Sequence, residues 1–306
     1  MGDISVSTAA LERGLTGAFQ KTFKATAPHP LAALASFSNS ANLSERYVGF
    51  GEVAEMVEFV DEKIEKGLVE RALTVLNKRY EATHKIHKDA IRLDNTGSAL
   101  QKMQSITLRG KVFPGKLISE LIVAGTGTTI SACYDGGAFF SATHPALGNS
   151  GTQSNLLTGG GVTSALMKVD FNAAIAAFRG MKDTQGAPIN DGLDLDLVAV
   201  VPPALESAAR EFLGADILSN TTNVDKSRAK YIVDARLTDL TDWYLFNLAD
   251  PGTMPFGLQE NDPLKPTFLG DGSDTFFRTG FMLYGAEWMG RAYYGWFQNA
   301  IKINNS

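Results

Sequence analysis

Residues 96–124 read TGSALQKMQSITLRGKVFPGKLISELIVA, with apolar side chains at Leu100, Met103, Ile106, Phe113, Leu117, Leu121 and Ala124. Steps of three, four or seven place them on one face of a helix. At about 1.5 Å of rise per residue such a helix runs to roughly 40 Å, longer than a small domain is wide. It therefore reads as a spine along which other elements are laid. Pro114 interrupts the pattern. An interior proline loses a hydrogen bond and crowds the carbonyl four residues earlier, at about 3 kcal/mol. Here that residue is Gly110, which leaves room for a kink. One kinked helix or two collinear ones are expected, with Gly125 as C-cap.

Composition bounds what surrounds the spine. The chain has 306 residues, 44% of them hydrophobic and 20% charged, enough for two globular units. A formal charge of -5 argues against a dedicated nucleic-acid binder and leaves room only for local basic patches. The single cysteine, Cys133, rules out an intrachain disulfide. MGDISVST at the start lacks a signal-peptide pattern, and no run approaches the roughly 18 apolar residues of a membrane span. The sequence thus predicts a soluble protein made inside a cell.

Before the spine, Ser7 can cap a helix over Thr8–Lys24 that aligns Leu11, Leu15, Phe19 and Phe23 in one stripe. Pro28-His29-Pro30 and the polar run at 36–45 separate it from the rest of the chain. Two readings stand: an arm that reaches a neighbour, or a helix docked on its own domain. Residues 51–88 are dense in charge; 53–68 fit a helix period, whereas TVLNKRYEATHKIH (74–87) reads as a strand. A hairpin turning near Lys66-Gly67 would have no core of its own and would need a partner surface.

Beyond the spine lies a glycine-rich, turn-rich zone, 133–161, and then an α/β pattern. It comprises a helix over Phe171–Met181, a buried strand at 195–202, a helix opened by Pro203 that carries Leu205, Ala209, Phe212 and Leu213, and strands at 231–237 and 242–248. The aromatic tail 274–298 reads as one or two strands.

Candidate chemistry is thin. Cys133, Asp135 and His144 allow a thiol nucleophile with a histidine base, but no signature surrounds them. His84 and His87 fall on opposite faces of a strand and lack further ligands at metal spacing. Gly125-Thr126-Gly127 and Gly159-Gly160-Gly161 lack the residues that complete a phosphate loop, and Asp191, Asp194 and Asp196 lack the glycine and glutamate of a calcium loop. No enzyme, metal or cofactor is expected.

CYDGGAFFSATHP (133–145) resembles a stretch of the major head subunit of Mu-like phages, as do NKRYEATHKIHKDAIRLDNTG (77–97), VVPPALESAAREFL (200–213) and IVDARLTDLTDWYL (232–245). The likeness runs in order over about residues 75–250. It implies an α+β chain with the Hong Kong 97-type capsid fold: an N-terminal arm (1–48), an extended hairpin loop (49–92), a peripheral domain with the spine helix (93–165), an axial α/β domain (166–250) and C-terminal strands returning to the peripheral domain (251–306). On this plan 53–68 becomes one limb of a hairpin. The resemblance further implies a major capsid protein whose hexamers and pentamers build an icosahedral head, made in the bacterial host cytoplasm. Its partners would be a separate scaffold protein, a portal protein, a decoration protein where one is used, and packaged double-stranded DNA held without sequence preference. Candidate inter-subunit contacts are Leu11, Leu15, Phe19, Phe59, Lys63 and Lys66. The alternatives are an encapsulin-like nanocompartment shell and a hydrolase using Cys133 and His144. No position matches the lysine, asparagine and glutamate of a subunit crosslink.

Overall fold

The computed structural model describes residues 8–51, 71–92, 97–145, 151–183, 186–218, 221–270 and 272–305. The spine is one unbroken helix, α3 (Ser98–Ala124), that runs through Pro114. It starts after Gly97, whose backbone is left-handed at φ 69°. Gly125 closes it without the left-handed turn usual for a glycine cap, its N–H donating to the Ile122 carbonyl at 3.3 Å. Glycine is required there for space: a Cβ would come within 2.5 Å of the Phe140 ring.

Ahead of the spine come α1 (Thr8–Ala25), β1 (Ala35–Asn39), β2 (Ser44–Tyr47), β3 (Leu73–Leu76), β4 (Lys78–His87) and the short α2 (Lys88–Arg92). After it come β5 (His144–Pro145), β6 (Thr152–Gln153), β7 (Leu156–Thr158), α4 (Ser164–Gly180), β8 (Leu197–Val201) and α5 (Glu206–Gly214). The chain ends with β9 (Ile217–Leu218), β10 (Thr221–Thr222), β11 (Ala229–Val233), β12 (Trp243–Asn247), β13 (Phe256–Leu269), α6 (Asp274–Thr279), β14 (Phe281–Tyr294) and β15 (Ala300–Asn304).

Two sheets organise these elements. The first has the order β1-β13-β14-β4, parallel between β1 and β13 and antiparallel elsewhere. Both α1 and α3 lie on one of its faces, where Leu15 and Phe19 pack with Ala99, Met103, Ile106, Tyr284 and Ala286. The second sheet has the order β11-β8-β12-β15-β7. Helices α4 and α5 cover one side of it through Phe171, Phe178, Ala209 and Phe212, and its other side meets the C-terminal half of the spine at Ile118, Leu121 and Ile122. Every residue of β8 is buried, as a near-continuous apolar run requires.

Three sequence expectations change. Residues 274–279, expected as strand, form α6, capped by the Ser273 hydroxyl on the Phe276 N–H at 3.1 Å and ended by left-handed Gly280. The helix expected from Phe171 begins at Ser164, because Thr163 caps it. The α/β unit is not closed within 166–250, nor does all of 251–306 join the spine's sheet: β15 inserts between β12 and β7. The 53–68 segment lies outside the described residues.

Candidate functional site

Around Cys133 the geometry is structural. The thiol is buried, and burial, reinforced by the neighbouring Asp135, pushes its pKa well above the ordinary value. His144 Nδ1 lies 2.6 Å from Asp135 Oδ2, and Nε2 lies 3.2 Å from both the Phe139 carbonyl and Asn155 Oδ1. Its ring stacks on Phe297 at 3.7 Å between centroids. Both ring nitrogens are thus taken, and the thiol is not accessible as a nucleophile. Asn155 also donates to the Phe139 and Phe297 carbonyls at 2.7 and 3.3 Å, which ties the turn after the spine to β15's approach.

The glycine run is occupied as well. The Gly160 N–H donates to both Asp170 oxygens at 3.0 Å, and the Gly161 N–H donates to Asn305 Oδ1 at 3.0 Å. A phosphate would find these amides engaged. Among the described residues no group of three or more His, Cys, Asp or Glu is placed to hold a metal, and no helix is long and apolar enough to cross a membrane.

What the chain does build with care is the root of its loop. β2 and β3 pair antiparallel, from Ser44 opposite Leu76 to Tyr47 opposite Leu73. Beneath them a polar chain is satisfied link by link: the Tyr47 hydroxyl donates to Gln259 Oε1 (2.8 Å), Gln259 Nε2 to Asn77 Oδ1 (2.7 Å), and Asn77 Nδ2 to the Ser40 hydroxyl (3.1 Å), which donates to Glu45 (2.9 Å). Ser40, Asn77 and Gln259 are buried at its centre, where a satisfied network favours one geometry. Phe50 stacks on Tyr134 at 5.3 Å and the Arg71 guanidinium sits 5.7 Å from the same ring, so both ends of 52–70 are anchored on one aromatic. Lys63, Lys66 and Phe59 lie outside the described residues.

The arm residues are placed within the chain. Leu15 and Phe19 are buried, and Leu11 is half-buried, against the chain's own spine. The stripe that the sequence offers to a neighbour is therefore covered here by α3, the docked alternative of the sequence reading.

Several large apolar side chains remain in solvent. At the loop root they are Phe37, Leu43, Val48 and Leu76; on the α/β unit they are Val169, Ile217 (67% exposed) and Val224 (76%); and Phe277 on α6 is 90% exposed. Sequence reasoning did not single these out. Val224, an apolar residue between Asn223 and Asp225 in a polar turn, carried a legible signal; Phe277, in an aromatic run read as strand, did not.

A spine helix lying across one sheet and an α/β unit packed on its far half define an α+β fold of the Hong Kong 97 type. Solved structures agree. The procapsid of bacteriophage JBD30 matches with a TM-score of 0.56 at 18% identity, covering 97% of this chain and 76% of that chain. A virus-like particle from Pyrococcus furiosus matches at 0.54 and 10% identity over 95% of this chain and 98% of that one. The family model for the Mu-like prophage major head subunit gpT matches residues 8–170, and the chain belongs to that family. The major capsid protein of Escherichia phage Mu is 28% identical over 147 residues, 47% of each chain. The FluMu major head subunit of Haemophilus influenzae is 26% identical over 141 residues, 45% of each. These alignments span about half the length of either relative.

Proposed function

We propose that this chain is the major capsid protein of a tailed double-stranded DNA phage, assembling as hexamers and pentamers into an icosahedral head. The observation that carries the reading is the family match over residues 8–170, which includes the arm helix, the loop and the whole spine. In this reading 1–48 is the arm, 49–92 the extended loop, 93–165 the peripheral domain, 166–250 the axial domain and 251–306 the returning strands, with β15 shared. The role is structural and not enzymatic, and a separate scaffold, a portal, the packaged DNA and, where one is used, a decoration protein are its partners. Both curated relatives are phage head subunits, which favours this over a nanocompartment.

The physical basis is distributed contact. Obligate interfaces bury thousands of Å² in total, so each loop and arm contributes modestly. In this reading Phe59, Lys63 and Lys66 meet a neighbour, whereas Leu11, Leu15 and Phe19 hold the arm helix on the chain's own spine and so set where the rest of the arm leaves it. Negative-stain microscopy with light scattering, on the chain expressed with and without its scaffold, tests the proposal. Shells, tubes or hexamer rings are expected; a stable monomer under every condition would remove it. Charge reversal at both Lys63 and Lys66 is expected to leave the monomer folded by circular dichroism and to abolish those particles.

A further inference from the structure

We propose that Phe277, on α6 of one copy of this chain, inserts into the cleft between the spine and β4 of a second copy; the inference rests on the shell reading above and adds a contact that uses neither the arm nor the extended loop. The cleft has a volume of about 470 Å³. Ile106, Ala286 and Trp288 form its floor and are buried, while Tyr80, Phe113 and Leu264 form its walls and are half-buried. The Tyr80 ring lies 4.8 Å from that of Phe113 and 5.8 Å from that of Trp288, and the last two are 5.9 Å apart. Trp288 Nε1 already donates to Glu260 at 2.6 Å, so the indole offers an occupant its carbon face alone. Clefts of this size and lining bury an apolar group well.

Helix α6 carries the complement. Phe277 is 90% exposed. Residues three and four apart share a helical face, so Phe277 stands beside Asp274 and Arg278, which pair with each other at 3.7 Å while 80% and 74% exposed. The rim of the cleft is divided in the same way, with Arg109 on the spine bank and Glu81 and His84 on the β4 bank. With the ring seated, Asp274 can face Arg109 and Arg278 can face Glu81, whereas the reverse orientation sets like charge against like. A lone exposed aromatic is ordinary. A ring that matches an aromatic cleft, with an acid and a base on each side, is a fit between two surfaces.

The occupant is a second copy because the chain's own ring does not reach. The Gly280 carbonyl, at the end of α6, accepts from the Lys88 N–H at 3.0 Å, and Phe281 at the start of β14 is five residues, about 17 Å, from Ala286 in the cleft floor. Ring and cleft thus lie at different places on one sheet. The contact is heterologous: each copy gives its ring to one neighbour and receives another, and repetition about an axis closes a ring of subunits. Burying a phenylalanine strengthens each such contact by roughly 10- to 100-fold.

The test is cysteine trapping on the full chain, since its own Cys133 is buried. The double variant T279C/A82C, which keeps Phe277 and places one thiol beside it and one on the cleft rim, is treated at high concentration with a short bis-maleimide. A ladder running beyond the dimer on denaturing gels is expected, because every copy carries a donor and an acceptor. V224C/A82C, with the donor moved to the α/β unit, should give no such ladder, and adding F277S to T279C/A82C should lower its yield at least tenfold while F277L keeps it within about threefold. A ladder indifferent to F277S, an equal ladder from V224C/A82C, or a stronger one from E62C/A82C would each overturn the proposal, the last by giving the cleft to the extended loop. Particles are scored separately by microscopy. Closed shells without the ladder would remove this contact and leave the shell reading; the ladder without closed shells would keep the contact and remove that reading; neither would remove both.

Discussion

Asp135 and His144 form a pair whose side chains are each 1% exposed, 2.6 Å apart. Burial alone would raise the Asp135 pKa. The hydrogen bonds from His144 and the Gly137 N–H, with the charges of His144 and Arg71, outweigh it and hold the carboxyl below its ordinary 3.8. Removing one partner of such a pair strands the other, so His144→Ala is expected to cost about 3–5 kcal/mol by urea unfolding at neutral pH. A depressed carboxyl pKa gives stability that is present above the ordinary value and is lost as pH falls through the folded one. Asp135→Asn should therefore flatten the acid limb of the stability curve below about pH 4. His29 works in the opposite range. Its Nδ1 accepts from the Leu31 N–H at 3.2 Å, and burial lowers its pKa from 6.5, aided by Arg236 and opposed by Asp234. The folded state binds its proton less readily than the unfolded chain, so stability is complete above 6.5 and declines as pH drops below that value. His29→Asn, which keeps a capping acceptor, should remove that decline when unfolding is compared on either side of pH 6.5.

Among the elements, the spine depends on a close approach just after its proline. A Cβ on Gly115 would lie 2.3 Å from His29 Cγ and 2.4 Å from its Cβ. These atoms sit at the root of the side chain, in a segment held by the fully buried Leu31 and Leu34, so they have little room to yield. Gly115→Ala should cost about 1–3 kcal/mol through overpacking despite alanine's better helix propensity. Gly17 in α1 has nothing within 4 Å of a built Cβ, and there alanine should stabilise by up to about 1 kcal/mol. Thermal unfolding of the two variants gives opposite shifts if the reasoning holds. The sequence made the spine and β8 legible because long periodic or wholly apolar runs leave one reading. It did not make α6 legible: six residues hold too few turns for periodicity, and only Ser273 and Gly280 marked its ends. The loop root was equally hidden, since Ser40, Asn77 and Gln259 are polar residues whose burial depends on partners up to 212 positions away.

The whole molecule is tied together by its ends. Strand β15 belongs by sequence to the tail but pairs with β12 over Trp243–Phe246 and with β7 over Leu156–Thr158. Lys302, itself buried, meets Asp242 at 2.7 Å, and the Asn305 N–H donates to the same carboxyl at 2.8 Å. Sequence order gave no hint of this, because a five-residue strand such as AIKIN fits any sheet edge equally well. A fragment covering 166–250 lacks both β7 and β15, so the inner face of β12 and the core around Ile301 and Ile303 would be open to water. We expect that fragment to show collapsed, poorly dispersed amide resonances. Adding a synthetic peptide of residues 296–305 should restore dispersion in part, because it returns the strand that pairs with β12 and brings back Ile301 and Ile303. A well-dispersed spectrum from 166–250 alone would show that the α/β unit is self-sufficient and that β15 only ties it to the spine, in which case shell subunits built on this fold could swap their tails without losing their cores.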